Sequence, residues 1–574
     1  MKLARRPTGL VVCSFLLACG AEPPPPSPQP PPPPAAPTTA PTTQVAPAPA
    51  SVAALASGAM LFDDLGALHR TVTTTSPEAQ RYFDQGLRLT YGFNHDEAVR
   101  SFARAAQLDP TCAMCFWGAA MAMGPNYNVP MLPDKARAAW DALERARSLA
   151  PNATPVEQAL VEALTHRYKG PEPVDPAAMG PFNTAYADAM RAVATRFKDD
   201  DDVQVLFAES LMDVSPWKLW SLDGAPAPGT EEIVSTLEQV LARNPAHPGA
   251  NHYCIHAIEA SQHPERALPC AQRLPELMPG AGHVIHMPAH VYQRIGRYAD
   301  ASAANEKAVA VDLAYLKKTT PPGYYPMYLG HNYGFLSFST SMEGRSVDSL
   351  AAARATAKAL PPGMIDMMPG MDFFYAEPLL DEVRFGKWDD LLAEPRPDAK
   401  YMVLTAFWLH GQGMAHAARH KLQAAHGDLD ALKKLADAAP ATLTAGQNAA
   451  KDVFLLAAVI LEARLATVER RNNALGLWSD AVARADKLAY SEPDDWFYPV
   501  RHLQGAALLA AGKPKEAEAV YREDLRRHPH NGWALFGLWK ALVAEKRPRD
   551  AADAKAEFDT AWSRADIKLQ ASAY

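Results

Sequence analysis

The sequence predicts an all-α chain, a solenoid of antiparallel helix pairs with insertions, and three observations carry that expectation. At 574 residues the chain is too long for one compact core and reads as multidomain or as a repeat array. From about residue 60 to the end, alanine-rich amphipathic segments alternate with short Pro/Gly/Asn breaks, and no run of alternating β-branched residues suggests a sheet. The same marks also return every 34 residues: Pro245 and Pro279, Ala517 and Ala551, His252 and His286, His256 and His290.

Residues 1–18 read as a secretory signal peptide. Lys2, Arg5 and Arg6 precede a short apolar run from Thr8 to Ala18. The run ends in "LLACG", which resembles a bacterial lipobox. That resemblance implies cleavage before Cys19, lipidation of Cys19, and, with Gly20 following, an outer-membrane lipoprotein whose folded part is periplasmic. Loss of the signal removes three positive charges and takes the formal net charge from −8 to −11. An acidic chain with no basic stripe argues against nucleic acid as a partner. "VFLLAAVIL", 453–461, is too short to cross a bilayer, so the expected membrane attachment is the lipid alone.

Residues 19–55 are Pro/Ala/Thr-rich and cannot bury a core. They read as a disordered, semi-rigid tether favouring extended polyproline II. Two solenoid segments are expected beyond it, 60–345 and 346–574. The segment "SPEAQRYFDQGLRLTYGFNHDEAVRSFARAAQLDP" opens the first, with Ser76 as helix cap and Pro77 in the first turn. Gly86, Ala98, Phe102, Ala105 and Pro110 then fall at the spacing of the tetratricopeptide repeat (TPR), a 34-residue helix–turn–helix, and the chain resembles that family. "GRYADASAANEKAVAVD", 296–312, is a further turn and second helix. Stretches 125–135, 170–180, 221–230 and 318–328 break the period as insertions. "GPNYN", "NHYCIHAIEAS" and "EPDDW" resemble signatures of secreted bacterial TPR lipoproteins, which implies the architecture and supplies no activity.

The repeated histidines are the candidate site. Residues i and i+4 share one helix face, so His252 pairs with His256 and His286 with His290. A 34-residue step sets equivalent residues side by side on adjacent helices, with Glu259 one turn further on. In TPR proteins helix-A positions 2, 5, 9 and 12 commonly face the concave groove. The resemblance therefore implies that these five residues and His283 lie on the binding surface. Imidazole is the commonest transition-metal ligand, and "HYCIHAIE" offers His, His and Glu on one helix, although it is not HExxH. Three readings stand open: a transition-metal site (zinc, iron or copper) of His252, His256, Glu259, His286 and His290; a groove in which histidines hydrogen-bond a ligand; and packing between repeats.

Other features fall on the same expected groove. They are Asn126, Tyr127 and Asn128 in "GPNYN", Trp217 and Trp220 in "SPWKLW", His331 and Asn332 in "GHNYGF", and Trp496 in "SEPDDWFYPVR". Aromatic and amide groups in a groove suit a peptide or a glycan chain. Cys112 and Cys115 form a C-x-x-C at a helix start without the following His of haem attachment; a redox-active pair is one reading, and with no thioredoxin-like βαβ around it a structural disulfide or packing is the favoured one. Cys254 and Cys270 lie on antiparallel helices, nearly equidistant from the turn near Gln262, and read as a candidate disulfide whose formation depends on their Cα distance. No G-x-S-x-G, Walker loop or G-x-G-x-x-G occurs. The expected function is an envelope-anchored TPR scaffold presenting a His-rich groove to a protein or polymer ligand. The alternative is a metal-dependent enzyme built on the same histidines, with no catalytic residue assigned.

Overall fold

Ser76 caps the first long helix by accepting from the Ala79 N–H, and Pro77 occupies its first position, so helix Pro77–Tyr91 starts where local chemistry places it. A turn at Gly92–Asn94 reverses the chain, and Asn94 caps helix His95–Leu108. This pairing then repeats to the C-terminus, giving an all-α, TPR-like α-solenoid. The computed structural model describes residues 52–360, 362–367 and 370–574. The expected signal peptide, the lipidation site Cys19 and most of the expected tether lie outside the described residues; Val52–Leu55 is a short helix. Among the described residues the strands are a two-residue hairpin, Thr444–Ala445 with Asn448–Ala449. No described helix is long and apolar enough to cross a membrane.

The packing explains the small residues of the repeat. A Cβ on Gly86 would sit 2.7 Å from the Phe102 ring, and one on Gly118 would sit 2.5 Å from it. Phe102 is thus a knob seated between two glycine faces on the flanking helices. Gly505, Tyr521 and Gly537 repeat that arrangement at the same spacing near the other end. Burial of each aromatic knob joins one helix pair to the next, which is how a solenoid without a single centre stays folded. Two large apolar clusters result, one within 62–328 and one within 298–569, and they overlap in sequence between Tyr298 and Tyr328.

The four described cysteines are paired. Cys112–Cys115 closes the start of helix Ala113–Ala122, and Cys254–Cys270 ties helix Pro248–Ile258 to helix Leu268–Leu277. The second bond fixes the helix that carries His252 and His256. It closes a loop with a sequence separation of 16, so opening it restores chain entropy worth about 3 kcal/mol. The Cys254→Ser, Cys270→Ser double variant should lose stability of that order in a denaturant melt. An unchanged midpoint would show that packing alone holds the helix.

Candidate metal centre

Helix Pro248–Ile258 is aimed by its own start. His247 caps it, accepting from the Ala250 N–H through Nδ1, while His247 Nε2 meets Asp202 at 3.2 Å. Gly249 lets the helix press onto Tyr91, since a Cβ there would come within 2.5 Å of the ring. That approach brings His252 Nδ1 to 2.6 Å from the Tyr91 carbonyl. A carbonyl only accepts, so His252 carries its proton on Nδ1 and presents a bare Nε2, which has no hydrogen-bond partner.

The same logic fixes three more rings. Glu259 follows the helix end; its Oε1 lies 2.9 Å from His256 Nδ1 and its Oε2 lies 2.5 Å from His290 Nδ1. Burial alone would raise the Glu259 carboxyl, but the neighbouring His290 and His256 hold it well below the usual range. It accepts from His256 and stands against His290 as a close contact without hydrogen-bond alignment, and His256 Nε2 is left without a partner. His286 Nδ1 donates to Asn305 Oδ1 at 2.6 Å, and the Asn305 amide is oriented because its Nδ2 donates to the Ala301 carbonyl. His286 Nε2 and His290 Nε2 then face each other at 2.8 Å. At that separation one ring donates an N–H to the other, a proton that a bound metal would replace.

His283, on the short helix Gly282–His286, is 3% exposed and neither ring nitrogen has a partner. Pro288 restarts the helix as Pro288–Arg294, which carries His290. His331, on helix Pro326–Met342, is half-buried and completes the set. Burial and the neighbouring imidazoles push His252, His283 and His286 well below their ordinary value; burial also lowers His256, and His331 falls to about 3. Neutral imidazole is the metal-ligating form.

The ligand atoms fall into groups whose members lie within 4.8 Å of one another. One is His252, His256 and His283; another is His286, His290 and His331; a third is His256, Glu259 and His290. All five residues of the sequence-derived metal set therefore come together. His283 and His331, read from sequence as groove residues, are brought in among them. Sequence reasoning missed Glu492, which reaches the cluster from the C-terminal half. Its Oε2 is 4.0 Å from His290 Nδ1, and it also bonds Gln293 Nε2. Burial and the charge of Glu259 push the Glu492 carboxyl far up. The polar–aromatic "SEPDDWFYPVR" was the only signal for it.

The expectation of an open His-rich groove is corrected. His252, His256, Glu259, His286 and His290 are at most 1% exposed. The insertions that break the repeat close over them. Tyr127 lies 5.1 Å from the His256 ring and stacks on Trp217 at 5.5 Å. Tyr328 packs on His283 at 4.5 Å, and Phe93 on His252 at 4.5 Å. The amides expected in the groove have other commitments. Asn126 binds His95 and turns its own loop through the Asn128 and Val129 N–H groups, while Asn332 donates to Asp312. Trp220 donates to the Ala257 carbonyl. Trp496 packs on His410 at 5.2 Å, in the C-terminal cluster.

A crevice of about 850 Å³ opens beside the centre, lined by Trp220, Arg294, Tyr490 and Trp496 among others. Arg294 links it to the cluster by donating to the Glu259 carbonyl at 3.0 Å.

No protein-family model matches the chain, and no curated protein matches it by sequence. Similar solved structures include the human IFIT1 dimer with m7Gppp-AAAA, at 11% identity and TM-score 0.34, covering 86% of this chain and 96% of that one. The yeast Tom70 structure is similar at 12% identity and TM-score 0.29, covering 83% and 91%. The P58(IPK) TPR domain follows at 12% and 0.22, covering 82% and 99%. At these scores the likeness bears on neither ligand nor partner.

Proposed function

We propose that the chain is a metal-dependent enzyme of the bacterial envelope, in which a TPR-like scaffold holds a transition-metal centre of zinc, iron or copper. One observation carries this reading: His252, His256 and His286 each have Nδ1 hydrogen-bonded to an acceptor (the Tyr91 carbonyl, Glu259 and Asn305), His290 Nδ1 lies against Glu259, and the Nε2 atoms of His252 and His256 are left without a partner while those of His286 and His290 meet. Such outer partners orient metal-ligating histidines and fix their tautomer. Hydrogen bonding between repeats would instead satisfy Nε2, and at His252 and His256 it does not. Three protein ligands with a free position are the arrangement of catalytic rather than closed structural sites. The two disulfides support an oxidising compartment, in keeping with a lipid anchor at Cys19, the outer membrane and a periplasmic folded part.

Elemental analysis of the full chain, purified without histidine tag or chelator, tests the reading. Bound zinc, iron or copper, lost in His256→Ala together with His290→Ala, is the expected result. A chain that stays metal-free after soaking and desalting would sink it.

The crevice favours a second, compatible role, the capture of a protein or polymer segment. Aromatic rings and arginines share its wall, a surface suited to a chain with apolar and anionic groups.

A further inference from the structure

We propose that the cluster holds two copper ions side by side, one among His252, His256 and His283 and the other among His286, His290 and His331. The proposal rests on the metal-centre reading above and adds the number, the element and the ligand class.

The number follows from the repeat. The two triads share no residue, and each satisfies the same distance limit of 4.8 Å. They are also built alike. Each takes two ligands spaced i, i+4: His252 and His256 on helix Pro248–Ile258, and His286 and His290 across the break that Pro288 makes between two short helices. Its third comes from a helix further along the chain, His283 on Gly282–His286 for the first pair and His331 on Pro326–Met342 for the second. Duplicating the repeat has duplicated the site. The solenoid then sets the copies face to face, with ring centroids 5.5 Å apart for His256 and His290 and 5.8 Å apart for His283 and His286. Glu259 spans the seam, holding one histidine of each triad through its two oxygens.

The element follows from charge and ligand type. The four described cysteines are in disulfides, so no thiolate among the described residues is available. Six imidazole donors bring no negative charge, and Glu259 is engaged in holding two rings. Two divalent ions side by side in this dry site would repel each other strongly; two monovalent ions repel one quarter as much, because the energy scales with the product of the charges. Copper(I) is the monovalent ion that imidazole binds well, and copper(II) heads the divalent affinity order.

The ligand class follows from the open positions. Three histidines leave each copper a free site. A cavity of about 90 Å³ reaches His283 between Asn94, Gly282 and Tyr315, and His331 is half-exposed. A space of that size admits a diatomic or triatomic molecule.

The test loads the metal-free full chain with copper(I) under anaerobic conditions, desalts it and counts copper. Two ions per chain are expected, one each in His283→Ala and His331→Ala, and none in the double variant. One ion in the wild type, lost in either variant, would overturn the pair while leaving a metal centre. Two ions retained in both variants would overturn the assignment of the third ligands. No copper in the wild type, with zinc or iron bound instead, would overturn the element; no metal of any kind would end the reading beneath it. Circular dichroism confirms that each variant is folded, and His331→Ala, at a half-exposed position, serves if His283→Ala unfolds. Azide added to the oxidised protein should give a charge-transfer band absent from the metal-free chain. No band would overturn the open positions.

Discussion

Glu259→Ala should weaken both halves of the centre at once, with metal affinity falling about 10- to 100-fold. The carboxylate makes no claim on a coordination position in this arrangement. Its two oxygens hold the Nδ1 groups of His256 and His290, which belong to different triads. Removing it frees both rings to rotate and to change tautomer, so the loss is not confined to one ion. A single-histidine variant differs in kind: His252→Ala removes one ligand of one triad and leaves Glu259 in place. Competition with a chromophoric chelator reads the two affinities. A uniform loss in Glu259→Ala beside an unequal loss in His252→Ala is the expected pattern. If Glu259→Ala lost one ion outright and left the other unchanged, the carboxylate would be a ligand of that ion, within the group His256, Glu259 and His290. Glu259→Gln sharpens the contrast. An amide offers one acceptor and one donor group, so it can serve only one of the two rings in the way the carboxylate does.

Much of this centre was legible in the sequence because its rules are local. The i, i+4 spacing puts His252 beside His256, and the 34-residue step puts His286 and His290 opposite them. Ser76, Pro77 and Gly86 announced the first repeat in the same way, by capping and close approach. Residues brought in over long range were harder. Glu492 comes from a loop far along the chain, and no periodicity points to it. His283 and His331 were visible, but the spacing that placed them at position 2 of their helices gave no reason to prefer ligation over an open groove. Burial was misread for a related reason. The groove of an ideal solenoid is open, whereas here Tyr127 and Tyr328 come from insertions that the repeat frame can only count as interruptions, and Trp217 from the stretch just before one. The acceptors Tyr91 O and Asn305 decide which nitrogen of His252 and His286 faces the other histidines, and contacts of that kind follow from packing alone.

The loop that covers His256 has its own support, and Arg167→Met should destabilise the fold by about 3–5 kcal/mol. Arg167 and Asp213 are an ion pair with side chains 0% and 1% exposed, and the guanidinium also lies 4.1 Å from the Tyr186 ring centroid. Its Nη1 donates to the Pro125 carbonyl at 3.4 Å, two residues before Tyr127. Removing the cation leaves Asp213 and the neighbouring Glu209 as buried acids without it. Burial already raises both, Asp213 far above its ordinary value with help from Glu209, while Arg167 opposes the shift. Without Arg167 both rise further. An acid raised in the folded state keeps a proton that the unfolded chain releases, so stability falls as pH climbs past the ordinary carboxylate range. The deficit of Arg167→Met relative to the parent should therefore grow with rising pH once the already raised value of Glu209 in the parent is passed, read by denaturant melts across a pH series. A small deficit, flat with pH, would mean that Arg167 does not neutralise these acids. Replacing both partners, Arg167→Met with Asp213→Leu, removes the charge along with its counter-charge and should recover part of the loss. Metal content separates the two roles of this residue: if Pro125 is positioned through Arg167, the single variant should also exchange its metal faster under chelator at temperatures where it is still fully folded.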